Sequence, residues 1–150
     1  MPQSLVKNYV HIVFSTKHRV DFIDEQVEKE MFSYIAAICK DFESTVLQIG
    51  GTDNHIHILC LLSRKSALMK LVQEIKAHSS KWIKTKGKKY EYFFWQDGYG
   101  AFSVEEKSLN TIIRYIRNQR IHHQNTDFKN ELILILHENK MEYDEKYLWD

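Results

Sequence analysis

Hydrophobic positions change their period along the chain, and each change marks an element. Residues 9–15 alternate, with Val10, Ile12 and Phe14 on one side and His11, Val13 and Ser15 on the other. Period two predicts a strand with one apolar and one mixed face. From Asp24 the spacing turns helical. Val27, Met31, Tyr34, Ile35, Ile38 and Phe42 form one stripe, and Asp24 is placed to cap it. Residues 45–50 and 54–62 read as two more strands, joined hairpin-fashion through Gly51, Thr52 and Asp53. Ser66 opens a second helix with Leu68, Leu71, Val72, Ile75, Trp82 and Ile83 on its stripe, and Gly87 suits its end.

The aromatic segment 90–102 fits a bent strand or a hairpin, because Asp97, Gly98 and Gly100 interrupt it. Ser103 and Glu106 have the spacing of a capping box ahead of a third helix running to about His123. A short fourth helix follows from about Asp127, with Phe128, Leu132, Ile135 and Leu136 on one face. The order is βαββα, then β, then two helices. It predicts an α+β fold of the ferredoxin-like, RRM-like kind: a split βαβ antiparallel sheet with helices packed on it and a C-terminal helical extension. No repeat or linker divides the chain, so residues 1–150 are expected to form one domain.

Composition narrows the class. An apolar share of 43% fills a real core and excludes a wholly disordered chain. Apolar runs such as residues 58–62 are far shorter than the ~20 residues of a membrane span, and the first eight residues carry no apolar leader core. A cytoplasmic protein without membrane contact is expected. Cys39 and Cys60 sit in apolar surroundings and read as buried thiols, with a disulfide as the alternative. The net charge of +1 conceals a segregation, since residues 64–89 hold nine basic residues and one acid. Such a stretch is either an anion-binding face or a solvated lysine-rich helix face.

Two local patterns could carry chemistry. His55 and His57 alternate with Ile56 and Ile58, so a strand presents both imidazoles on one face, where they can share a divalent metal. A packed, hydrogen-bonded histidine pair is the plainer alternative. Tyr115 and Gln119, at i and i+4, stack along the third helix and flank its apolar stripe of Leu109, Ile112, Ile113 and Ile116. That helix also carries Arg114, Arg117, Arg120, His122 and His123, a cationic face suited to phosphate. A boundary tyrosine beside a solvated glutamine is the alternative there.

Taken together, and in order, these pieces resemble the HUH single-tyrosine transposases of the smallest bacterial insertion sequences, related to the REP-associated tyrosine transposases. The resemblance runs through residues 9–15 (YVHIVFS), 51–57 (GTDNHIH), 75–82 (IKAHSSKW), 94–103 (FWQDGYGAFS), 115–119 (YIRNQ) and 142–149 (EYDEKYLW). It implies that His55, His57 and Gln119 bind Mg²⁺ or Mn²⁺ and that Tyr115 is the nucleophile. It also implies a homodimer whose active sites are shared between subunits, acting on single-stranded DNA at hairpin-containing element ends. Asn54 stands where members often have Asp, and an amide there can orient the neighbouring imidazole by hydrogen bonding.

Elementary chemistry agrees with these roles. A phosphodiester is a poor electrophile, and a cation on a non-bridging oxygen stabilises the charge that develops. A phenol with a pKa near ~10 needs help to attack at neutral pH. Attack would form a 5′-phosphotyrosine and free a 3′-OH, so the bond energy is kept for rejoining. Lys70, Lys76, Lys81, Lys84, Arg114 and Arg117 are the candidate DNA contacts, and Trp82, Tyr90 and Tyr92 are interleaved with basic residues as stacking platforms would be. Core packing is the alternative for these aromatics, and the better one for Trp82, which lies on the helix stripe. The competing functions are a replication-initiator or relaxase nickase of the same chemistry, and a non-enzymatic ferredoxin-like nucleic-acid-binding module. A histidine-triad phosphoesterase is disfavoured, because residue 59 is Leu.

Overall fold

The computed structural model describes residues 2–150. Four antiparallel strands form one open sheet: β1 (Asn8–Ser15), β2 (Thr45–Thr52), β3 (His55–Leu62) and β4 (Gly100–Ser103), in the spatial order β2-β3-β1-β4. With α1 (Glu25–Asp41) after β1 and α2 (Leu68–Lys84) after β3, this is the ferredoxin-like split βαβ arrangement. Four short helices follow β4: α3 (Leu109–Arg117), α4 (Gln119–His122), α5 (Phe128–Glu138) and α6 (Glu145–Leu148). Among the described residues no helix is long and apolar enough to cross a membrane.

Alternation along β1 and β3 divides the molecule into two faces. Val10, Ile12 and Phe14 join Ile56, Ile58 and Cys60 in the larger core, which α1 closes with Val27, Met31, Ile35 and Ile38 and α2 with Leu71, Val72, Ile75 and Ile83. Burying each such side chain contributes about 1.5–3 kcal/mol, and this face anchors the fold. On the opposite face, Val13 and Phe102 pack against Phe128, Leu132, Ile135 and Leu136 from α5. Both cysteines are buried free thiols in the larger core; burial pushes Cys39 up to about 12 and Cys60 to about 11.

Local signals are realised unevenly. Asp24 caps α1 through Val27 N–H, and Asp127 caps α5 through Asn130 N–H. The β2–β3 turn, however, is the pair Asp53-Asn54, because Gly51 and Thr52 remain in the strand. A Cβ at Gly51 would lie 2.1 Å from the carbonyl oxygen of His55, so only glycine fits that crossing. Ser66 does not cap α2; its hydroxyl donates to Phe42 C=O, and Ala67 holds the cap position. The Ser103–Glu106 box does not form either, because Ser103 is paired into β4 and the Glu106 carboxylate accepts from Lys7. In segment 90–102, Trp95 bridges to Thr16 and residues 100–103 pair with β1. The segment starts in a 3-10 turn and meets the sheet only at these two places, on the β1 edge. The predicted third helix breaks at Asn118 (φ −97°, ψ 21°), which separates α3 from α4.

Candidate active site

β3 runs between β1 and β2, so His55 and His57 project from the interior of the sheet, facing away from the larger core. Both are fully buried. Asn54 Oδ1 lies 2.9 Å from His55 Nδ1 and accepts from the Thr52 hydroxyl, so the turn itself orients the first imidazole. The His57 ring is held by β1, with its Nδ1 2.8 Å from His11 Nε2 and the two rings stacked. Burial pushes His55 down to about 4 and His11 to about 3. Both rings are therefore neutral at pH 7, the form that ligates metals.

Tyr115 and Gln119 reach this pair from above. Gly50 on β2 makes the approach possible, since a Cβ there would lie 2.1 Å from the backbone oxygen of Ile116. The helix consequently lies directly on the strand, with Ile116 buried beneath it. The break at Asn118 leaves Gln119 buried, with its Oε1 2.9 Å from His55 Nε2. Arg120 secures the start of α4, donating to Glu28, to Asp53 in the β2–β3 turn and to the Ile23 carbonyl. It is thus a tie between elements, not part of a phosphate-facing surface. The Tyr115 ring stands edge-on to His57 of its own chain, 5.7 Å between centroids, beside a cleft of about 290 Å³ also lined by Thr111, Ile112 and His122.

A residue that the sequence did not single out sits at the centre. Glu131 of α5 is buried, and its carboxylate touches His55, His57 and His123 through Oε1, at 3.3, 3.1 and 3.0 Å. Its Oε2 accepts from Gln119 Nε2 at 2.9 Å and from the Tyr115 hydroxyl. The available signal was an acid on the apolar stripe of α5, between Phe128 and Leu132. Burial raises the Glu131 pKa, but contact with the imidazoles of His123, His55 and His57 outweighs it and keeps the carboxylate ionised well below its ordinary range. Burial, then the Glu131 charge, holds the Tyr115 phenol above its ordinary range.

The candidate DNA contacts are scattered. The α2 lysines lie across the sheet from the histidines, on the helix that covers the other core. Lys70 pairs with Glu74, Lys84 donates to Ser80 and lies over Phe94, and Lys76 donates to the carbonyls of Gln96, Asp97 and Gly98. Lys81, Arg114 and Arg117 are exposed and make no ion pair among the described residues, and both arginines share α3 with Tyr115. Trp82 is half-buried against Tyr34 and Tyr90 is buried, whereas Tyr92 is exposed.

A split βαβ sheet carrying a two-histidine strand, with a tyrosine on α3 and a glutamine at the start of α4 laid over it, defines an HUH single-tyrosine transposase fold. Residues 4–119 match the family described as IS200-like transposases, and the chain belongs to that family. Among solved structures, the fold is similar to a protein of Deinococcus radiodurans R1 given a provisional transposase name. That likeness has a TM-score of 0.62 at 18% identity and covers 79% of this chain and 98% of the other. It is also similar to a REP-associated tyrosine transposase bound to a REP hairpin, with a TM-score of 0.61 at 13% identity, covering 82% of this chain and 73% of the other. At such identities these likenesses concern the fold. No curated protein matches the sequence significantly. Glu131 and His123 both lie beyond the segment matched by the family.

Proposed function

We propose that this protein cleaves and rejoins single-stranded DNA at the ends of an insertion sequence, with Tyr115 as nucleophile and a 5′-phosphotyrosine intermediate. The observation that carries the reading is the placement of the Tyr115 hydroxyl and the Gln119 amide over the His55–His57 pair. Family membership supplies the reaction class, and the hairpin bound by the REP-associated relative makes a hairpin-bearing strand the expected substrate.

The donor set fits a divalent cation. Two imidazoles and an amide oxygen converge from rigid elements, and Asn54 holds the proton of His55 on its outer nitrogen. His55, His57 and Gln119 would hold Mg²⁺ or Mn²⁺, and imidazole ligation suits Mn²⁺ better. When bound, the ion would stabilise negative charge on the scissile phosphate. Tyr115 attacks phosphorus as its proton passes to Glu131, and the 3′ oxygen departs with the electron pair of the broken bond and takes a proton from water to become the 3′-OH. Glu131 already accepts a hydrogen bond from that phenol, and it orients the oxygen toward the cleft. Exposed Arg114 and Arg117 on the same helix are placed to meet the DNA backbone. We carry a homodimer into this proposal, with each tyrosine serving the histidines of its own chain.

The test is incubation with hairpin-bearing single-stranded DNA and Mn²⁺, followed by denaturing electrophoresis. A covalent adduct on the 5′ end of the cut strand, absent in Tyr115→Phe, is the expected result. Adduct formation by Tyr115→Phe, or none by the wild type with any hairpin-bearing strand of its own element, would overturn the reading.

A further inference from the structure

The short helix that carries Gln119 is not seated by apolar packing. α4 spans only Gln119–His122, Gln119 is its one buried residue, and Ile121 is exposed. The break at Asn118 separates it from α3, so it does not inherit the placement of that helix. A single helical turn has little stability of its own, since fixing its backbone costs more than one hydrogen bond returns. Side-chain bonds must therefore set its position, and Arg120 supplies a connected set of them. The guanidinium donates through Nη1 to Asp53 Oδ1 at 2.7 Å and through Nε and Nη2 to Glu28 Oε2 at 3.0 and 2.7 Å. Nη2 also donates to the Ile23 carbonyl at 3.2 Å.

These acceptors belong to the framework around the first histidine. Asp53 and Asn54 form the β2–β3 turn, where the Asp53 carbonyl accepts from the N–H groups of Phe22 and Ile23, and Asn54 Oδ1 meets His55 Nδ1. Glu28 lies in the first turn of α1. One planar fork thus fixes the residue after Gln119 to the turn that leads into His55. We infer that Arg120 is a positioning residue for the metal centre: by tying α4 to the β2–β3 turn and to α1, it holds the Gln119 amide oxygen beside His55, where both meet one cation. The inference rests on the metal-binding reading above and deepens it, and it concerns a residue just beyond the segment matched by the family. Arg120 acts through Gln119 and contacts neither the ion nor DNA. Lysine does not substitute for it, because an ammonium on a flexible stem lacks the flat fork that spans two carboxylates and a carbonyl.

Calorimetric titration of Mn²⁺ compares wild type, Arg120→Lys, Gln119→Ala and the double variant, each first checked for a native melting transition. Arg120→Lys is expected to lose affinity by about tenfold, as happens when a group supporting a metal ligand is removed. In the Gln119→Ala background the same change should cost no further affinity, because the group that Arg120 places is gone. Metal-free binding of single-stranded DNA, read by fluorescence anisotropy across a salt series, should be the same in wild type and Arg120→Lys. If Arg120→Lys does not fold, Glu28→Gln, which leaves the Asp53 contact in place, is used instead in the single and double variants, with a smaller loss in the same direction. Unchanged Mn²⁺ affinity, or an equal further loss in the Gln119→Ala background, would reduce Arg120 to a structural tie and overturn this inference alone. Weaker DNA binding with a flatter salt slope would make it a phosphate contact and overturn it equally. A wild type that binds no Mn²⁺ would overturn the metal-binding reading as well.

Discussion

The Tyr115 hydroxyl donates a hydrogen bond to Glu131, sixteen residues further on and borne by a different helix. Because Glu131 also touches His55 and His57, one carboxylate links the proposed nucleophile to the strand pair. The same contact disfavours phenolate, since a buried phenol beside an anion keeps its proton.

The metal-free wild type and Tyr115→Phe should accordingly show the same tyrosinate absorbance gain between about pH 9 and 11, the range in which ordinary phenols titrate. A larger gain in the wild type, by one tyrosine, would mean that Tyr115 ionises normally and that Glu131 does not hold its proton.

Acid should weaken the metal-free protein in a defined window. His11 and His55 take up protons at about 3 and about 4 when folded, but near ~6.5 in an unfolded chain. As pH falls through that interval the unfolded state binds protons and the folded state does not. Stability should decline by up to about 1.4 kcal/mol per pH unit for each ring. Urea melts at about pH 7 and about pH 5 measure it, and an unchanged midpoint would contradict the neutral assignment.

Gly50→Ala forces a methyl group toward the Ile116 carbonyl. Displacing α3 should cost about 1–3 kcal/mol and should reduce cleavage far more than that loss explains, because Tyr115 and Gln119 move with the helix. A melting shift with full cleavage would show that the helix tolerates the displacement without losing the site.

On the proposed arrangement, in which each tyrosine serves the histidines of its own chain, mixing Tyr115→Phe with His57→Ala should restore no cleavage. Recovered activity would show that the subunits exchange α3 and that the shared arrangement implied by the resemblance holds.

The six candidate DNA contacts should separate. Arg114→Ala and Arg117→Ala should weaken binding to single-stranded DNA and flatten its salt dependence, each by a slope of roughly 0.7. Lys76→Met should leave binding intact and lower the melting temperature, because that ammonium is engaged by three carbonyls. The reverse pattern, read by fluorescence anisotropy across a salt series, would move the DNA to the α2 face.

The sequence carried the sheet well because its information is local. Val10, Ile12 and Phe14 alternate against His11 and Val13 within one strand, and Asp24 caps the helix it immediately precedes. His55, His57, Tyr115 and Gln119 could be picked out as candidates for the same reason, the first two lying within one strand and the last two only four residues apart in the chain. Glu131 was not, because its partners come from β3, α3 and α4, and nothing near it in the chain distinguishes it from any other acid beside a core. The break at Asn118 escaped notice because the i, i+4 spacing of Tyr115 and Gln119 survives it. The Ser103–Glu106 spacing misled, since pairing with β1 competed for Ser103 and won.

The two faces of β3 bind chemistry to folding in one further way. A slip of that strand by a single residue would turn His55 and His57 into the apolar core and present Ile56 and Ile58 to Tyr115. The misaligned chain would bury two imidazoles without partners and strand Glu131 among aliphatic groups. Errors of strand alignment are therefore self-eliminating here: the side chains of the candidate site also police the assembly of the sheet, and a slipped registration could not persist as a stable competitor.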